Sequence, residues 1–169
     1  MRRSAEEITV LPPKPMTHGI EIRPITAAEA LPLRQAVLRP GRLLESAQYP
    51  GDDAPTTRHF GAFRDARLLG IATLLHAEMP EQPGVPALQL RGMATAPEVR
   101  GQGFGRALIR ACLAFARESG VPLLWCNART GAVGFYRKLG FEIVGVEFIV
   151  PDVGPHFRMS IGFEGAARP

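Results

Sequence analysis

Thr95-Ala96-Pro97-Glu98-Val99-Arg100-Gly101-Gln102-Gly103-Phe104-Gly105-Arg106 joins a strand pattern to a helix pattern, and three glycines in five residues set its character. Glycines at a helix start leave backbone N–H groups unshielded, and with the helix dipole those donors form an anion site. The same glycines permit a tight, closely packed turn, so both readings stay open on this segment alone. Spacing excludes two known phosphate loops. A GxGxxG dinucleotide fingerprint needs glycine where Arg106 stands, and a GxxxxGK[ST] loop needs a lysine that this segment lacks.

Downstream, Phe104, Leu108, Ala111, Cys112 and Phe115 recur at helical spacing until Gly120-Val121-Pro122 stops the run. Residues 123–127 read as a short buried strand. A second helix is expected from Thr130 as N-cap past Phe135 and Tyr136 to Gly140, then strands over 141–150 and 156–163. Upstream, residues 86–95 alternate as a strand, Leu88, Leu90 and Ala94 facing one way and Gln89, Arg91, Met93 and Thr95 the other. Residues 59–64 and 68–77 form an antiparallel hairpin around Asp65-Ala66-Arg67. Ile20-Glu21-Ile22-Arg23 is a first strand ended by Pro24, and Thr26 with Glu29 makes a capping box for a helix reaching about Leu38. Residues 41–58 are a long connection holding one short helix around 42–48. The order is mixed α/β.

A chain of 169 residues fits one domain, here over 19–163, with a proline-rich leader over 1–18 and a tail over 164–169. Its 46% hydrophobic and 21% charged content is that of a globular protein. Apolar runs such as Leu68-Leu69-Gly70-Ile71-Ala72 fall far short of the roughly 18 residues a membrane span needs. Glu6 and Glu7 follow Met1-Arg2-Arg3 where a signal peptide would be apolar, so a cytoplasmic protein is expected. The net charge of +4 rests on 18 arginines against Lys14 and Lys138 alone. These arginines are spread along the chain without the aromatic clustering of a nucleic-acid groove, so no nucleic-acid partner is expected. Cys112 and Cys126 read as buried reduced thiols, and His18, His59, His76 and His156 are too scattered for a metal site.

The glycine segment fills the pattern R/Q-x-x-G-x-G/A with Arg100, Gly103 and Gly105. The strand Leu90-Arg91-Gly92-Met93-Ala94-Thr95-Ala96-Pro97 leads into it, and Ala132-x-x-Phe135-Tyr136-Arg137-Lys138-Leu139-Gly140-Phe141 follows. In these pieces the chain resembles the GNAT superfamily of acyl-CoA-dependent N-acyltransferases, specifically over 88–145 and by topology over 20–163. The resemblance implies a mixed, twisted, mostly antiparallel sheet of six or seven strands flanked by helices. That sheet splays between the strands at 88–95 and 123–127, with acetyl-CoA as acyl donor in the opening. It further implies that the pantetheine arm pairs with the backbone of Met93 and Thr95, and that an N–H near Met93 or Ala94 receives the thioester oxygen. The pyrophosphate would lie on the N–H groups of Arg100, Gly101, Gln102, Gly103, Phe104, Gly105 and Arg106.

By the same resemblance the Tyr136 hydroxyl lies beside the CoA sulfur as general acid; a core role is the alternative, because Ala132, Phe135 and Leu139 share its helix face. The central strand carries no Glu, so Glu78, His76, His156 or a water chain through Asn127 remain as bases. Arg129 stands where the family often has Asn, and Asn127 is near enough to replace that cofactor contact. The implied activity is acetyl transfer to a primary amine, on a small molecule or a protein, by direct attack on the thioester. An acyl-CoA-binding module of weak turnover is the alternative. On the acceptor side His156 begins the last strand, and Arg34, Arg39 and Arg42 are read as a guanidinium cluster favouring a carboxylate or phosphate. The oligomeric state is open, a homodimer being allowed.

Overall fold

The computed structural model describes residues 19–164; the leader expected over 1–18 and the tail beyond 164 lie outside the described residues. The elements are β1 (Glu21–Ile25), α1 (Ala27–Leu38), β2 (Arg58–Arg64), β3 (Arg67–His76), β4 (Ala87–Thr95), α2 (Phe104–Glu118), β5 (Leu123–Arg129), α3 (Val133–Arg137), β6 (Glu142–Val150) and β7 (Gly154–Gly162). The strands form one seven-stranded sheet ordered β1-β2-β3-β4-β5-β7-β6. Each neighbouring pair is antiparallel except β4 with β5. Among the described residues no helix is long and apolar enough to cross a membrane.

Local chemistry accounts for the boundaries. Thr26 and Glu29 cap α1 reciprocally, each side chain bonding the other's backbone N–H. Pro24 does not end β1 as expected but lies within it opposite Phe60, a place open to proline because β1 is an edge strand. Asp65 and Ala66 both take positive φ, the two-residue turn that matches strand twist, so β3 begins at Arg67. The short helix expected around 42–48 is a 3-10 turn, Leu44–Ala47. Thr130 does not cap α3; its hydroxyl bonds Glu147, and a 3-10 turn over Thr130–Ala132 precedes a helix of only five residues.

The sheet has two packed faces. On one, α2 buries Phe104, Leu108, Ile109, Cys112, Leu113 and Ala116 against Leu88, Leu90, Leu124 and Cys126. Full burial of each large side chain there contributes about 1.5–3 kcal/mol. On the other, Ala30 of α1 packs with Ile71 and Ala94. Ala94 therefore does not share a face with Leu88 and Leu90, contrary to the simple alternation. Ile71 pairs with Ala94 but Thr73 pairs with Arg91, so Gly92 and Met93 stand opposite Ala72 alone. This bulge, with Gly92 at φ +57°, reverses the alternation and turns Met93 toward α2.

The second feature that positions a site is an interruption. The parallel ladder runs from Ala87↔Leu123 to Leu90↔Cys126 and stops, while β4 continues to Thr95 and β5 to Arg129. Past Leu90 the two strands lie apart, with the bulge at the start of the gap.

Candidate active site

The gap opens on two cavities. The first, of about 600 Å³, lies at the start of α2 between Met93, Thr95, the glycine loop and the end of α3. Within the loop the N–H groups of Arg100 and Gln102 donate to Pro97 and Val99 carbonyls, so those two are not available to an anion. Phe104, Gly105 and Arg106 head the helix, whose first backbone bond comes from Ala107 to Gly103, and their N–H groups are unused. The Gly101 and Gly103 N–H groups also donate to no backbone carbonyl among the described residues, and both residues take left-handed φ, +75° and +91°. Glycine at these two positions thus serves the turn as well as the open amides. Arg100, Arg106 and Lys138 line the cavity and no carboxylate does. Lys138 was not singled out from the sequence; its signal was its place two residues after Tyr136.

Other expected groups sit differently. Phe104 contributes its N–H alone, since its ring is core under the Arg64 guanidinium. The Gln102 side chain is held between Glu98 and Arg64 and lines neither cavity. Ala94 lines neither as well. Ala96 N–H donates to Leu69, so by strand alternation Ala94 faces β3 while Thr95 presents its N–H and C=O to the gap.

The second cavity, of about 320 Å³, is walled by α1, β4, β5, α3 and the β6–β7 turn, and shares Met93 and Phe135 with the first. Tyr136 lines it, and its ring packs edge-on against Phe135 and Phe141 at 5.2 and 5.4 Å. Tyr136 is thus a packed core ring that also forms part of the cavity wall. Burial, with Cys126 and Cys112 nearby, pushes its hydroxyl well above the usual range and keeps it protonated at neutral pH. The two cysteines are buried free thiols pushed up to about 12 by desolvation.

His156 lines the same cavity, buried and stacked on Phe148. Its Nδ1 lies 2.8 Å from the Gly154 carbonyl, which can only accept, so Nδ1 carries a hydrogen and the neutral ring has its lone pair on Nε2. His76 and Glu78 are exposed and outside the cavity, and Glu78 accepts from the Gly84 N–H. Asn127 lines this second cavity and not the first, and its Oδ1 accepts from Arg158.

The guanidinium cluster read from the sequence is not one cluster. Arg34 is completely buried, bonded to the Ala47 carbonyl, Asp52 and Thr73, and stacked over Tyr49. Arg42 is exposed and absent from the cavity wall, whereas Arg39 lines it. Sequence reasoning missed Arg34's partners because Asp52, Thr73 and Gly92 come from three separate segments. A Cβ on Gly92 would fall 2.7 Å from Arg34 Nε, so the bulge glycine makes room for this side chain. Asp52 also accepts from Arg91 at 3.0 Å. His59 Nε2 donates to the Asp52 carbonyl, and its Nδ1 accepts from Thr73. Burial pushes the Asp52 carboxyl up, but hydrogen bonds from Arg34, the Tyr49 N–H and Arg91 outweigh it and hold the group below the usual carboxylate range. The network fastens the 41–58 connection onto β4 and sets Tyr49 and Arg91 in the cavity wall.

The comparisons with known proteins agree with this geometry. A family model described as Acetyltransferase (GNAT) family matches residues 28–141, and the chain belongs to that family. It is 36% identical over 140 residues to YitI, an uncharacterized N-acetyltransferase of Bacillus subtilis (strain 168), covering 83% of this chain and 94% of that one. It is 31% identical over 100 residues to the streptothricin acetyltransferase of Streptomyces lavendulae, covering 57% of this chain and half, 50%, of that one. The ribosomal-protein-S18-alanine N-acetyltransferase of Escherichia coli superposes with a TM-score of 0.67 at 16% identity, over 88% of this chain and 97% of the other. The fold is therefore the acyl-CoA N-acyltransferase fold, and the chain is an N-acyltransferase.

Proposed function

We propose that the gap between β4 and β5 takes acetyl-CoA and that an acceptor amine enters from the 320 Å³ cavity to attack the thioester directly. The observation that carries this reading is the shared wall. Met93 and Phe135 line both cavities, so a molecule anchored on the glycine-loop amides can reach Tyr136 and His156 through one opening. The open amides of Gly101, Gly103, Phe104, Gly105 and Arg106, with Arg100, Arg106 and Lys138, fit phosphate groups. The free edge of Thr95 fits an amide-bearing arm, and the bulge offers the Met93 N–H to the thioester oxygen as it gains charge.

The thioester supplies an activated acyl carbon; the chain supplies position and two protons' worth of transfer. His156 Nε2 takes the proton that the amine loses as its nitrogen bonds the acyl carbon. Tyr136 O–H gives its proton to the sulfur as the C–S bond breaks, yielding amide and free thiol. His76 and Glu78 have no part in this. Release of free thiol from acetyl-CoA with a panel of amines tests the reading. Tyr136→Phe should lower kcat about 10–100-fold and His156→Gln by about 100-fold, both with unchanged acetyl-CoA affinity by calorimetry. Amine-independent release, or wild-type rates in both variants, would return these residues to structural roles.

A further inference from the structure

We infer that the acceptor is a small amine carrying a carboxylate, of the size of a free amino acid, and that Arg39 and Arg129 receive that carboxylate at the cavity mouth. The inference rests on the donor and acceptor assignment above and adds what the mouth selects.

Charge is the first observation. Arg39, Arg91 and Arg129 line the cavity and no Asp or Glu does. Asp52 is buried outside that lining and shared between Arg34 and Arg91, so the pair of guanidiniums exceeds its single negative charge. Glu147, which accepts from the Thr130 hydroxyl, and Asp152 are likewise outside the lining and form no ion pair with Arg39 or Arg129. Arg39 and Arg129 have no ion-pair partner among the described residues. Arg129 has one anchoring contact, from Nη2 to the Leu38 carbonyl at 3.3 Å, which reaches across from the end of β5 to the end of α1. That contact places its guanidinium beside Arg39, the residue that caps α1. The C-terminal dipole of α1 carries about half a charge and offsets only part of the excess.

Chemistry supplies the second step. An attacking amine must be neutral, and a mouth of net positive charge disfavours the ammonium form and any polycation. An anionic substituent on the same molecule reverses that repulsion, and guanidinium forks hold a carboxylate in a fixed orientation. Size is the third. A cavity of about 320 Å³ is at the small end for ligand sites and must also admit the acetyl end of the donor.

The test uses acetyl-CoA with free amino acids and β-amino acids, each beside its own carboxamide, reading free thiol. In the wild type the best free acid should exceed its amide by about tenfold in kcat/KM, the worth of one hydrogen-bonded charge pair. In Arg39→Gln with Arg129→Gln the two should come within about twofold of each other, with acetyl-CoA affinity unchanged by calorimetry as evidence of an intact fold and donor site. A second measurement needs no turnover: N-acetylglycine should protect the wild type against thermal unfolding more than N-acetylglycinamide does. Amides equal to or better than every free acid, or a preference that survives the double variant, would overturn the inference. Failure of acetyl-CoA to bind would instead strike the donor assignment, so the two failures are told apart.

Discussion

At the α2 end of the gap between β4 and β5 the wall is backbone, the open amides of a glycine loop with cations around them. At the other end it is side chains, drawn from α1, the 41–58 connection, β4, β5, α3 and the β6–β7 turn. A backbone wall fits a group common to every acyl-CoA, whereas a wall of side chains from scattered segments can change its selectivity one residue at a time. Anything that loosens the scattered segments should therefore disturb the acceptor end and spare the donor end.

The largest expected break in that division is Asp52→Asn. Removing one partner of a buried ion pair typically costs about 3–5 kcal/mol, and here both Arg34 and Arg91 lose their counter-charge. The denaturant midpoint should fall accordingly, and acceptor KM should rise, since Arg91 and Tyr49 are set by Asp52, while acetyl-CoA KM holds. The pH dependence has a defined sign. The Asp52 carboxyl lies below its ordinary value of 3.8 in the folded chain, so its contribution is complete above that value. It is lost as pH falls through the depressed folded value. Wild type and Asp52→Asn should thus converge in stability on acidification below about pH 3.8, the ordinary Asp value. A rise in donor KM equal to that in acceptor KM would show that the two ends are not separately built.

A smaller break comes from the donor end with Gly105→Ala. A Cβ there would meet Met93 Cε at 2.9 Å and the Phe135 ring at 3.2 Å, the two residues that both cavities share. Acetyl-CoA KM should rise about tenfold, near 1.4 kcal/mol. The melting temperature should hold within a few degrees, because alanine's helix preference of about 1 kcal/mol offsets the crowding. Gly103 is a poorer probe, since its φ of +91° would strain any side chain and confuse folding with binding. Unchanged donor KM in Gly105→Ala would separate the shared wall from the donor's path.

The same division decides what could be read from the chain. The glycine-loop end is local: Arg100, Gly103 and Gly105 lie within one strand-loop-helix stretch, so their spacing is legible, whereas Tyr136 takes a role only through the resemblance. The hairpin, the capping box and the face of α2 were legible for the same reason, each depending on neighbours a few residues apart. The bulge was not. Alternation put Ala94 with Leu88, and only the mismatch against β3, with Arg34 filling the space beside Gly92, shows why the strand breaks register. Arg34 reads from the sequence as one of an acceptor-side guanidinium cluster because its counter-ion is 18 residues away and its other partner, Thr73, is 39 away. The placement of His156 in the cavity wall needed the β5–β7 pairing, which sets it opposite Arg129.

The smallest expected effect sharpens the edge of the acceptor end. Arg39 and Arg42 are three residues apart, both following α1, and a sequence gives no reason to treat them differently. In the fold the chain turns at Pro40 and Gly41, the latter at φ +75°, and the Gln35 side chain donates to both the Arg39 and Arg42 carbonyls. Those bonds hold the backbone of the turn and leave the Arg42 side chain in solvent. Surface substitutions of this kind usually stay within about 0.5 kcal/mol. Arg42→Gln should therefore leave stability, acetyl-CoA KM and acceptor KM at wild-type values, while Arg39→Gln raises acceptor KM for carboxylate-bearing amines alone. If Arg42→Gln matched Arg39→Gln with such amines, the mouth would extend past the turn, and selection would rest on a diffuse positive field rather than on paired contacts. Salt would then decide the matter, because a diffuse field acting over about 10 Å is screened near 0.1 M ionic strength and direct pairing much less so.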